Sequence, residues 1–143
     1  MKKSKTTLGR VELVAFPELG IESIEAKIDT GAYSTAIHAS EIWLEEVDSQ
    51  EVLNFKLLDA SHPEFKDEVF KSSNFKRKKV RSSNGRLEKR YILKTKIILG
   101  GKQRVTYISL TDRSKMRFPV LIGRKVLKNG YLVDVSKKNL HKK

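Results

Sequence analysis

Ile28-Asp29-Thr30-Gly31-Ala32 places an acid directly after an apolar run, then a small hydroxyl residue, then glycine. The glycine lets the backbone turn back sharply and come close to a partner. Taken alone, Asp-Thr-Gly is weak evidence, because Asp and Gly are ordinary turn residues. Far downstream, Val120-Leu121-Ile122-Gly123-Arg124 forms a second distinctive segment, an apolar run that must be buried and that ends at Gly-Arg. Between the two, Ser82-Ser83-Asn84-Gly85 is the strongest hairpin signal in the chain. Asn-Gly supplies the positive backbone angles that a tight primed turn requires.

Working outward from Asp29, the pattern is strand-like almost throughout. Val11–Phe16 reads as a short strand stopped by Pro17, and Ile21–Ile28 alternates apolar and acidic residues, so one face is wet. Residues 35–38 read as another strand. Ser40–Glu46 reads as a short helix with Ser40 as its N-cap. Residues 52–58 alternate as a strand, and residues 59–75 read as a polar loop around His62-Pro63. The Asn84-Gly85 turn joins 75–81 to 86–99, and Gly100-Gly101 makes a second hairpin into the strand 105–110. Residues 124–128 suit one helical turn ended at Asn129-Gly130, followed by a last strand at 131–135. Short strands at regular turn spacing predict an all-β barrel or sandwich. The expectation is a single domain over 1–143, with 1–7 and 137–143 as loose basic tails.

The 143 residues suit one domain and leave no room for two of full size. With no cysteine, disulfides, thiolate zinc sites and a cysteine nucleophile are excluded. No apolar run approaches the ~18 residues needed to cross a bilayer. The run 11–16 is too short and too polar for an export signal, so the expectation is a cytoplasmic protein with no membrane partner.

Charge is distributed unevenly. The net charge is +13, but residues 11–70 carry three cations against fourteen acids, and residues 71–143 carry 23 cations against three acids. A basic half of this density attracts anions and speeds their encounter. Nucleic acid is the common partner for such a field, and an acidic peptide the less common one. A merely solvated surface is the plain alternative for any single lysine.

Asp29-Thr30-Gly31-Ala32, the central hairpin and Leu121-Ile122-Gly123-Arg124, in that order, resemble the retropepsin family of aspartic proteases. More narrowly, Asp29-Thr30-Gly31-Ala32 with Ala36, His38 and Ala39, then Val80 with Ser82–Gly85, then Leu121–Arg124, resemble a bacterial retropepsin-like family catalogued as ATP-dependent zinc proteases. The resemblance covers roughly residues 8–136. It implies a closed acid-protease barrel with one short C-terminal helix. It also implies catalysis by Asp29 with Thr30 and Gly31, a flap over the cleft, and substrate contacts from Ala32, His38, Arg81, Ser82, Ser83, Asn84, Gly85 and Arg124.

Aspartic proteolysis needs two carboxylates sharing one proton, because like charges that close cannot both ionise. This chain has one Asp-Thr-Gly, and neither Asp112 nor Asp134 stands in a comparable context. The expectation is therefore a homodimer that brings two Asp29 side chains together across a two-fold axis. One departure from viral retropepsins matters. Their residue after Asp-Thr-Gly-Ala is an Asp that pairs with the Arg of Gly-Arg, whereas here it is Tyr33. Arg124 must then meet another acid, a backbone carbonyl or the substrate.

The flap is strongly basic, with Lys76-Arg77-Lys78-Lys79, Arg81, Arg86, Lys89 and Arg90 against Glu88. An acidic substrate is expected. The family's association with an ATP-grasp ligase that adds glutamates to a ribosomal protein implies a glutamate-tailed polypeptide. No metal or other cofactor is expected. The three histidines match no zinc spacing, and no phosphate loop is present to bind ATP. His38 reads either as a hydrogen-bonded structural histidine or as a member of the substrate pocket. The competing function is a non-catalytic basic β-barrel that binds RNA or a ribosome surface.

Overall fold

The computed structural model describes residues 4–81 and 85–141. Its elements are β1 (Thr6–Leu8), β2 (Val11–Phe16), a 3-10 turn (Pro17–Leu19), β3 (Ile21–Ile28), β4 (Thr35–Val47), β5 (Gln50–Leu57), β6 (Phe70–Ser72), β7 (Lys76–Arg81), β8 (Leu87–Leu99), β9 (Lys102–Thr111), β10 (Val120–Ile122), α1 (Arg124–Leu127) and β11 (Tyr131–Val133). Six strands close into a barrel in the order β10-β3-β2-β8-β9-β4, with β10 pairing β4 to complete the ring. Closure leaves no free sheet edge around the core. The fold is the retropepsin-like all-β barrel with one short helix near its C-terminal end.

Alternation positions the core. On β3, Ile21, Ile24, Ala26 and Ile28 are buried while Glu22, Glu25 and Lys27 are exposed. On β8, Leu93, Thr95, Ile97 and Leu99 face inward and Lys94 and Lys96 face outward. A two-residue period lets one strand serve core and solvent at once. Phe16, Ile37, Ile97, Ile108 and Ile122 fill the centre. The Gly100-Gly101 turn joins β8 to β9 with both glycines at positive φ, 60° and 77°. Among the described residues, no helix is long and apolar enough to cross a membrane.

Three local expectations are corrected. Ser40–Glu46 is strand, not helix. It is the outer half of β4, paired in register with β5 so that Ile42 faces Phe55 and Leu44 faces Leu53. An isolated helix of that length is marginal, and an available partner strand satisfies the same backbone groups. Ser40 sits at a register shift between Ala39 and Glu41. The segment 59–75 holds β6, paired to β5 with Phe70 opposite Phe55. Its two rings stack at 5.6 Å.

The third correction concerns the chain ends. Thr6–Leu8 pairs in parallel with Tyr131–Val133. Residues 137–141, expected as loose tail, are tied to the barrel. Glu12 is fully buried and accepts the backbone N–H groups of Gly9 at 2.6 Å, Leu140 at 3.1 Å and His141 at 3.1 Å. A buried carboxylate persists only when its oxygens are satisfied in this way.

Candidate active site

The parallel pairing of β10 with β3 sets Ile122 opposite Ile28 and brings the two distinctive segments together. The Asp29 N–H donates to the carbonyl oxygen of Ile122 at 2.9 Å, and the Gly123 N–H donates to the Thr35 hydroxyl oxygen at 3.2 Å. Asp29 sits on a tight turn in which the Ala32 N–H donates to its carbonyl oxygen at 3.2 Å. Its carboxylate Oδ1 accepts the Gly31 N–H at 2.9 Å, and Oδ2 lies 4.0 Å from Lys27 Nζ. The side chain is 25% exposed and is held through Oδ1. Thr30, Gly31 and Tyr33 are exposed around it.

Gly123 faces this loop so closely that a Cβ there would overlap the carbonyl oxygens of Tyr33 and Ser34. Beyond it, α1 begins with the Arg124 N–H donating to the Ala32 carbonyl oxygen at 2.8 Å and the Lys125 N–H donating to that of Tyr33 at 3.0 Å. The partner of Arg124 is a backbone carbonyl: Nη1 donates to Thr30 O at 3.1 Å, and the guanidinium lies 5.8 Å from the centre of the Tyr33 ring. Tyr33 thus occupies part of the place of the retropepsin carboxylate, by a cation–π contact in place of an ion pair.

A cleft of about 930 Å³ opens at Asp29. Arg10, Lys27, Arg113, Arg117 and Lys138 line it against Glu25, Asp29 and Glu64, and its apolar wall includes Phe118 and Leu121. His38 does not line the cleft. It lies behind it, 2% exposed, with Nε2 2.8 Å from Asp59 Oδ2. Its Nδ1 accepts the Arg113 N–H at 2.9 Å, so Nε2 carries the proton given to Asp59. Of the residues expected at the site, Asp29 to Ala32 and Arg124 are brought together. Arg81 and Gly85 lie on the β7–β8 hairpin, where Arg81 Nη1 donates to Gly85 O at 2.8 Å. Ser82, Ser83 and Asn84 lie outside the described residues.

Sequence reasoning missed Arg113, Arg117 and the Asp59 support of His38. One signal was readable, since Asp59, Asp112 and Asp134 each stand two residues before a serine. Each forms the same turn, with the carboxylate accepting both the N–H and the hydroxyl of Ser61, Ser114 or Ser136. The two Ser61 bonds, together with His38 and His62, hold the Asp59 carboxyl down to about 2. Asp112 is lowered in the same way by Ser114. Among the described residues, no group of three His, Asp or Glu side chains is placed to hold a metal ion.

Residues 7–143 match the family of RimB-like proteins, described as retropepsin-like aspartic endopeptidases. The chain belongs to this family. The description is that of an aspartic endopeptidase and does not carry the zinc-protease name. Among curated relatives, this RimB-like chain is 34% identical over 136 residues to a "probable alpha-L-glutamate ligase" of Shewanella halifaxensis, covering 95% of the chain and 30% of that protein. A ligase of the same name from Desulfotalea psychrophila is 30% identical over 135 residues, covering 92% of the chain and 28% of that protein. The chain therefore spans less than a third of the curated relatives it matches. A solved Legionella pneumophila protein of unknown function superposes with a TM-score of 0.74 at 27% identity, over 96% of this chain and 98% of that one.

Proposed function

We propose that the chain is an aspartic peptidase that acts as a homodimer on acidic, glutamate-rich polypeptides. The observation that carries this reading is the seating of Asp29. One carboxylate is locked by Gly31 at the mouth of a cationic cleft, and the single Asp-Thr-Gly loop is exposed, where a second copy can reach it. Two Asp29 side chains would share one proton. The ionised one takes a proton from water as the oxygen attacks the carbonyl carbon, and the protonated one donates to the carbonyl oxygen. On collapse of the tetrahedral gem-diol, the protonated carboxyl donates to the nitrogen as the C–N bond breaks. The other carboxylate takes the proton of a gem-diol hydroxyl as the product carboxyl forms, and the dyad returns to one shared proton.

Substrate chemistry follows from charge. Five cations against three carboxylates line the cleft, and the basic β7–β8 hairpin continues that sign. The alpha-L-glutamate ligase names of the curated relatives support the same substrate class, a glutamate-tailed polypeptide, and the family resemblance points to a ribosomal protein as its bearer. The test is cleavage of glutamate-rich peptides by the chain and by Asp29→Asn, together with sedimentation. Loss of cleavage in a folded, dimeric Asp29→Asn protein is expected. Undiminished cleavage, or a cleaving monomer, would overturn the reading.

The second reading, binding of RNA or a ribosome surface without catalysis, draws on Tyr107. Its ring on the outer face of β9 lies 4.7 Å from Lys76 Nζ and 4.8 Å from Lys125 Nζ. A binder of that kind would keep its function in Asp29→Asn and lose affinity steeply with salt.

A further inference from the structure

Arg113 differs from Arg10, Lys27 and Arg117 among the cations of the cleft. Arg10 donates to the Val135 carbonyl oxygen at 3.4 Å, Lys27 is 4.0 Å from Asp29, and the Arg117 guanidinium lies 5.4 Å from the Phe118 ring centre. Arg113 is half-buried, and its Nε donates to the Phe118 carbonyl oxygen at 3.1 Å. Among the described residues, no carboxylate pairs with it and its two Nη groups hold no hydrogen bond. The fork is thus oriented from behind and left open in front.

The mount is built from the core outward. Ser61 holds Asp59, Asp59 holds the buried His38, and His38 Nδ1 accepts the backbone N–H of Arg113. The second and third links join residues far apart in the chain. A buried imidazole with both nitrogens satisfied is a rigid support. Burial also lowers the Arg113 guanidinium from its usual range, with Asp29 opposing that shift and Arg90 reinforcing it. A cation held partly out of water, with its planar donor fork free, has unmet demand for a carboxylate, and the fork matches one in bidentate fashion.

We infer that Arg113 is the specificity-determining residue of this cleft, binding a carboxylate side chain of the ligand beside Asp29, and that His38 and Asp59 are its positioning residues. The inference rests on the peptidase reading only in taking the cleft for the substrate's. It differs from a role in which Arg113 merely offsets the Asp29 charge. In that case, acidic and neutral ligands would respond alike to its removal.

Two measurements on the full chain test this. In the first, kcat/KM is compared for peptide pairs that differ by Glu or Gln beside the cleaved bond. Arg113→Gln should reduce the Glu-over-Gln ratio of kcat/KM roughly ten-fold or more, and Arg113→Lys should restore part of it. His38→Gln should lower the same ratio through KM. In the second, tetraglutamate and tetraglutamine are titrated into Asp29→Asn protein by calorimetry. Adding Arg113→Gln should weaken tetraglutamate binding roughly ten-fold. An unchanged Glu-over-Gln ratio, or tetraglutamate binding that ignores Arg113, overturns the inference even if cleavage is observed. Arg113-dependent binding without any cleavage sustains it and removes the peptidase reading. No tetraglutamate binding at all removes the inference.

Discussion

Arg124 donates from Nη1 to the carbonyl oxygen of Thr30 at 3.1 Å, clamping the start of α1 to the loop that carries Asp29. The clamp joins the two ends of the family signature across the chain. It does so without a carboxylate, because the residue at that place is Tyr33, whose ring flanks the guanidinium at 5.8 Å. Arg124→Ala should leave the barrel folded, since the side chain is exposed. It should lower peptide cleavage roughly ten-fold, the equivalent of about 1.4 kcal/mol, by loosening the Thr30 carbonyl. Arg124→Lys should recover only part, because an ammonium lacks the planar fork. Paired measurements of kcat/KM and melting temperature check this.

Gly123 should tolerate no side chain. A Cβ would overlap two backbone carbonyl oxygens, which are not flexible chain ends that can swing aside. Gly123→Ala should therefore push the 29–35 loop away from β10 and cost about 1–3 kcal/mol. Denaturant unfolding would register the loss, and activity should fall with it.

Acid should act through Asp59. Its carboxyl is lowered to about 2 from 3.8 by the Ser61 hydroxyl and N–H and then by its histidine partners. A carboxyl depressed in the folded state contributes stability that is fully present above its unfolded value. That stability is lost as pH falls toward the folded one. Melting temperature should therefore fall between pH 4 and pH 2, and Asp59→Asn should flatten part of that fall while being less stable at neutral pH. Asp112 and Asp134, lowered by Ser114 and Ser136, should keep some acid sensitivity in the variant.

Glu12 should act as the anchor of the C-terminal segment. Glu12→Ala strands the N–H groups of Gly9, Leu140 and His141 in a site the carboxylate had filled. The expected cost is about 1–3 kcal/mol, with much faster amide exchange at residues 140 and 141 than in the barrel. Exchange at 140 and 141 equal to that of the unaltered chain would rule this role out.

Much of the barrel was legible in local pattern. The alternation of 21–28, the stops at Pro17 and Gly100-Gly101, and the apolar run at 120–122 all appear where the residues implied them. Ser40–Glu46 was misread because its serine mimics a helix cap, while the β5 partner that draws it into a strand follows it in the chain. His38 read first as a hydrogen-bonded support and second as a member of the pocket. Only the positions of Asp59 and Arg113 place it behind the cleft.

From its residues alone, this chain is an all-β protein with an Asp-Thr-Gly loop, a Gly-Arg segment and a basic second half. Those properties depend on neighbours a few positions apart, through turn geometry and the two-residue period of strands. Closing the ring at β10 decided what touches what. It set Ile122 beside Ile28, turned Arg113 into the cleft on a His38–Asp59 mount, and brought Thr30 to Arg124. Such contacts join residues far apart in the chain, and no local pattern specifies them. They exist only once the barrel has buried its core and made their positions adjacent.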